Sequence, residues 1–175
     1  MSNIIEDLVN SIQLSIKTEN WVAALTVALT LPDICAKVDS RHGENTGSRY
    51  ASWFEQYIVK LPQSTGLGLS QYDFFSGKDC YALRCAFLHE GDMDTTGQNA
   101  QEFVDGFSFV VSESSLWSIS NSYGKKANIG LNVTFFCRDI CSGVKNWLAV
   151  ANENEAIKLR LDRLPKIKTT LAHAV

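Results

Sequence analysis

Two residues in the stretch "DCYALRCAFLHEGDMD", residues 79 to 94, carry groups able to act on a charged substrate: Arg84 and His89. A guanidinium is planar, permanently charged and donates hydrogen bonds in a fixed fork, which suits it to hold an anion. An imidazole titrates near neutral pH, which suits it to move a proton. Between Cys80 and Leu88 Arg84 is the only charged residue. On a helical wheel Cys80 and Leu88 flank it at about 40°, and Tyr81 and Phe87 at about 60°. The arginine therefore rises from an apolar surface, where an unpartnered charge is costly and cannot be shed by deprotonation. It needs a carboxylate, carbonyl groups or a visiting anion. Asp79 and Asp73 are the local acids within reach, and a long side chain also has the option of extending to solvent.

His89 lies five residues on, about 140° from Arg84 on a regular helix. The two converge only if the last turn is distorted, or if a second copy of the chain brings its own pair across a two-fold axis. A histidine at a helix C-terminus is also favoured by the helix dipole alone.

The elements that position this pair follow from hydrophobic spacing. Residues 3 to 17 keep helical spacing at Ile5, Leu8, Val9, Ile12 and Ile16, with Asn3 and Glu6 placed for a capping box. Residues 20 to 38 form a second helix, apolar around most of its girth as in the centre of a bundle, with Pro32 set to kink it or to start a new turn at Asp33. A third helix is predicted from about Arg49 to Val59, burying Tyr50, Trp53, Phe54 and Tyr57. The "LPQSTGLGLSQYDFFSG" stretch is a linker. The helix bearing Arg84 starts at Asp79 as its N-cap and stops at Gly91. The period then changes: "GFSFVVS", "LWSIS" and "ANIGLNV" read as strands, giving a small antiparallel hairpin or three-strand sheet over about 103–132. Helical spacing returns from Val133 to Ala151, and a last helix runs from about Glu153 to Leu164, stopping at Pro165. The expectation is one mainly α domain over 1–175, an antiparallel helical bundle with a β insert.

Composition narrows the function classes. The chain has 175 residues, 45% hydrophobic and 20% charged, with a net charge of −3. A polyanion would therefore have to be held by a local basic patch. The start, "MSNIIEDLVN", has no basic flank leading into an apolar run, so no signal peptide is expected. The apolar run "WVAALTVALTL" is 11 residues and predicts no membrane span. Five cysteines, an odd number, point to a reducing, cytoplasmic setting.

The phrase "SGKDCYALRCAFLHEG" contains R-x4-H as "RCAFLH" and resembles the signature of the HEPN superfamily, closest to a branch of stand-alone bacterial HEPN-like proteins. "TLPDICAKVD" and "SRYASWFEQYI" are similar to the helices that precede that motif, so the resemblance covers about residues 20 to 91. It implies an HEPN-like all-α bundle working as a homodimer whose paired motifs share a cleft. It further implies metal-independent cleavage of RNA to a 2′,3′-cyclic phosphate and a 5′-hydroxyl, with no cofactor, in a toxin or defence effector that can have a cognate inhibitor protein. By that resemblance His89 is the acid–base group and Arg84 the phosphate-holding group, with Asp79, Cys85 and Glu90 lining the cleft. Active relatives commonly carry a polar residue after the arginine, where this chain has Cys85. A non-catalytic nucleotide-, RNA- or partner-binding dimer is the alternative the resemblance allows. The family variant with a modified tyrosine beyond the histidine is not expected, since Glu90 and Gly91 follow His89.

Lys158, Arg160, Arg163, Lys166 and Lys168 face a single acid, Asp162, near the end of the chain. They are the candidate RNA-backbone contacts, the alternative being a solvated helix face. Other signals fail on spacing. "DMDTTG" opens like a calcium loop, but position twelve is Phe103 where a glutamate is required. Cys80, Cys85, Cys137 and Cys141 include no C-x2-C pair, so no metal site is expected. P-loop, dinucleotide and nucleophile-elbow motifs are absent.

Overall fold

The computed structural model describes residues 3–39, 45–59, 75–91, 104–113, 118–120 and 127–166. Among them are six α-helices and one three-stranded sheet, a mainly α fold with a small sheet insert, as the periodicity predicts.

Helix α1 (Ile4–Lys17) opens with the predicted capping box: the Asn3 side chain accepts from the Glu6 amide at 2.9 Å, and Glu6 accepts from the Asn3 amide at 3.2 Å. It buries Ile5, Val9 and Ile12 against α2 (Trp21–Asp39). Helix α2 is central, with all five other helices packed on it. It continues through Pro32 as one helix, and does not restart at Asp33. Proline removes one ladder hydrogen bond, and in the turn before it the Leu29 carbonyl accepts from the Tyr50 hydroxyl at 3.1 Å. At 19 residues α2 is long and apolar enough, by length and composition alone, to cross a bilayer, which the 11-residue run did not predict. Here nine of its residues are buried within the bundle.

Helix α3 (Thr46–Phe54) begins three residues earlier than expected, because Asn45 caps it by accepting from the Gly47 amide at 2.8 Å. It continues as a π turn, Glu55–Val59. Tyr50, Trp53 and Phe54 are buried as predicted. Helix α4 (Gly77–Cys85) starts two residues before the predicted cap. Ser76, not Asp79, is its N-cap; Asp79 is the third helical residue and completes a second capping box. The Ser76 hydroxyl donates to the Asp79 carboxylate at 2.7 Å, and that carboxylate also accepts from the Ser76 amide at 3.1 Å. Gly77 sits so close to α3 that a Cβ there would lie 2.4 Å from the Ala51 carbonyl oxygen. Its amide donates to the Glu55 carboxylate. These contacts fix α4 on α3.

The insert has β1 (Val104–Val110), β2 (Ser118–Ser120) and β3 (Ala127–Asn132) in the order β1-β3-β2. Only β2 and β3 are antiparallel; β1 runs parallel to β3, which corrects the all-antiparallel expectation. The apolar face accounts for the order. Phe107 pairs with Ile129 and Phe109 with Leu131, so the chain's alternating apolar residues line up on one side. Phe107, Ile129 and Leu131 are buried. Asn132 ends the sheet and caps α5 (Val133–Glu153), which buries the predicted stripe from Val133 to Ala151. Helix α6 (Glu155–Asp162) is shorter than predicted, capped by Asn154.

Candidate functional site

The site is built where α2 passes α4. Helix α4 changes at Ala86: the next five residues, Ala86–Glu90, form a π turn, in which the Gly91 amide donates to the Ala86 carbonyl five residues back. Gly91 closes it at φ 68°, a conformation that glycine tolerates at little cost. A π turn holds one residue more than an α turn. That extra residue reduces the angle between Arg84 and His89 from about 140° to about 40°. The distortion that the pair required for convergence within one chain is therefore present. Arg84 Nη1 lies 2.7 Å from His89 Nε2. A guanidinium can only donate, so Nε2 accepts and the neutral ring carries its hydrogen on Nδ1.

The carboxylate that meets the arginine comes from α2. Arg84 Nη2 donates to Asp33 Oδ2 at 3.0 Å, with the two side chains 17% and 23% exposed. Tyr81, one turn before the arginine, sets its ring face 6.0 Å from the guanidinium carbon. Arg84 Nε is buried without a hydrogen-bond partner. One edge of the guanidinium is thus anchored, and one nitrogen is shared with an imidazole whose side chain is exposed. The arrangement can hold an oxyanion and offer it a proton carrier at the same point.

Around the pair the wall is aromatic and thiol-rich. Tyr81 packs on Tyr50 at 5.4 Å between centroids, and its ring occupies the space a side chain at Gly47 would need. Burial pushes the Tyr81 hydroxyl above its ordinary pKa, neighbouring Cys85 adds to this, and Arg84 pulls the other way. Tyr50 is fully buried, its hydroxyl 3.4 Å from Cys80 Sγ, and burial raises both groups well above their usual range.

The other predicted residues divide. Cys85 is at the pair, its Sγ 4.0 Å from Arg84 Nη1. Asp79 is not: it is fully buried and engaged at the start of α4, so it is a capping residue and not a cleft residue. Asp73, Lys168 and the side chain of Glu90 lie outside the described residues. Of the basic set, Arg160 turns inward, donating to the Val38 and Asp39 carbonyls at the end of α2, which corrects its assignment as a free RNA contact. Lys158 faces solvent beside Glu155 at 3.8 Å, and Arg163 and Lys166 are exposed. Among the described residues no group of three His, Cys, Asp or Glu is placed to hold a metal ion. Cys137 and Cys141 are buried thiols, pushed up by burial to about 12 and about 11.

Asp33 is the functional residue that sequence reasoning missed. A signal for it existed: "TLPDICA" strands an acid in an apolar helix just as "YALRCAF" strands a base. Two opposite charges, each isolated on its own greasy helix, are candidates for one another. A separate open cleft of about 480 Å³ lies between Glu19, Trp21, Val111, Glu113, Phe135 and Arg138, and contains none of the predicted site residues. No family model matches the chain, and neither does any curated protein or solved structure.

Proposed function

We propose that this protein is a metal-independent endoribonuclease of the HEPN type, acting as a homodimer and serving as a toxin or defence effector in a reducing cytoplasm. The observation that carries the reading is the 2.7 Å contact between Arg84 and His89. It makes the R-x4-H string one chemical unit with Asp33 behind it. In this mechanism Arg84 binds a non-bridging oxygen of the scissile phosphate, and its charge offsets the negative charge gathered in the transition state. Binding shifts Arg84 off the His89 lone pair. The freed imidazole accepts the 2′-hydroxyl proton as that oxygen attacks phosphorus. The bond to the 5′-oxygen breaks, and the leaving oxygen takes a proton from the second histidine of the dimer, which enters the step as an imidazolium released from its own Arg84 and leaves it neutral. The products are a 2′,3′-cyclic phosphate and a 5′-hydroxyl. Asp33 holds Nη2 and orients the guanidinium as it moves. Arg163 and Lys166 extend the backbone track, since they follow α6, which Arg160 ties to the end of α2, about 8–9 Å of helix rise from Asp33.

The test is cleavage of single-stranded RNA in EDTA, with the product ends identified. Wild type should cut, and Arg84→Ala and His89→Ala should each lose the activity by about 10²-fold or more, the scale of a removed acid–base group. Equal cutting by both variants would overturn the assignment.

A second reading is favoured by two observations. The Asp33 ion pair already satisfies part of the guanidinium, and Cys85 stands where a polar neighbour is commonly found in active relatives. On that reading the chain is a non-catalytic HEPN-like dimer that binds RNA, nucleotide or a partner. Absence of cleavage together with a rise in melting temperature on adding RNA or nucleotide would select it.

A further inference from the structure

The contact between Arg84 and His89 depends on the π turn, and a π turn is a rare, locally strained arrangement that persists when its surroundings hold it. The residue exposed to such a hold is Phe87, inside the turn. Its ring meets Phe109 of β1 edge to face, 5.5 Å between centroids at 89°. Both are half-buried and packed against the core. Two residues earlier on the same strand, Phe107 meets Phe75, just ahead of the α4 cap, at 5.4 Å. Strand β1 therefore touches the segments on either side of α4, through side chains of the same face. The contact at Phe107 bears on the start of the helix. The contact at Phe109 bears on the turn that carries His89.

We infer that the β insert, through Phe109 against Phe87, is the positioning element that keeps the π turn wound and so keeps His89 on Arg84. Phe109 touches neither residue and acts only through the turn. Without its ring the turn relaxes to an α turn, the Ala86 carbonyl accepts from Glu90 instead of Gly91, and His89 swings about 100° from the guanidinium. The inference rests on the proposed function only for its effect on RNA cleavage; the geometric part is independent of it.

The experiment reads the ring directly. The chain has three histidines, so His89 is assigned in a long-range nitrogen–proton spectrum by comparison with His89→Gln. Wild type should show His89 with its hydrogen on Nδ1 and Nε2 accepting. Phe109→Ala should lose that signature and lower kcat at least tenfold with a smaller change in KM. Phe107→Ala, which disturbs the same sheet, should keep both, and Phe109→Tyr should restore them. If Phe109→Ala does not fold, Phe109→Leu keeps the volume without the ring edge and takes its place. An unchanged His89 tautomer in the folded variant overturns the inference even where RNA cleavage is strong. A lost tautomer in a protein that never cuts RNA sustains the inference and removes the ribonuclease reading instead.

Discussion

The pair Asp33–Arg84 allows a quantitative test of how the site is held. Exposed ion pairs contribute about 0–1 kcal/mol, whereas breaking a buried pair by removing one partner costs about 3–5 kcal/mol. Side-chain exposures of 17% and 23% place this pair between those limits and nearer the buried one. Asp33→Ala should therefore lower the unfolding free energy by about 2–3 kcal/mol, and Asp33→Asn by about 1–2, since the amide oxygen still accepts a hydrogen bond. The cleaner quantity is the coupling in a double-mutant cycle with Arg84→Met, which keeps the apolar stem and removes the charge. In the Arg84→Met background Asp33→Ala should cost little, giving a coupling of about 2–3 kcal/mol. Urea denaturation of the four proteins measures it, with the denaturant slope required to stay constant. A coupling below about 0.5 kcal/mol would show that the guanidinium is satisfied without the carboxylate, and the anchored-arginine account would fall.

Further outcomes follow from other contacts. Gly77→Ala should destabilise the fold by about 1–3 kcal/mol through overpacking, since its Cβ would meet the α3 backbone; a neutral result in denaturation would refute the close approach. Tyr50→Phe should cost about 1 kcal/mol by removing the donor to the Leu29 carbonyl, with no change if that bond is immaterial. Arg160→Ala should lower stability and leave the salt dependence of RNA binding unchanged, while Arg163→Ala with Lys166→Ala should do the reverse; an altered salt slope in Arg160→Ala would restore it as an RNA contact. The buried thiols of Cys137 and Cys141 lie above their ordinary pKa, at about 12 and about 11, so the folded state retains protons the unfolded chain loses. Their stabilisation is complete below the unfolded thiol pKa of about 8.5 and is lost as pH rises towards 11 and 12. Stability in Cys137→Ala should fall less steeply over that window than in wild type.

Local signals in the sequence carried most of the elements and little of the site's wiring. The capping box at Asn3 and the stripe from Val133 to Ala151 are legible because all their partners lie within a few residues. The α4 start was misread because Ser76 and Asp79 are both good cap residues, and which one caps depends on the side chain three positions away. The π turn has no periodic signature of its own in five residues. Only the chemical oddity of Arg84 followed by His89 hinted at it. The pairing of Asp33 with Arg84 was hidden from local reasoning, as the two stand 51 residues apart. The parallel pairing of β1 with β3 was equally hidden, since spacing identifies strands but not which neighbour each one takes.

The link from Arg160 to the last carbonyls of α2 spans 122 positions. Synthesis delivers α2 first and this closing side chain long after it. Until then the helix that donates Asp33 has an open final turn, and hydrogen exchange on shortened chains should find its last amides unprotected. A chain that stops short of α6 lacks this fastening, so the helix that brings Asp33 to Arg84 is closed only once α6 is in place.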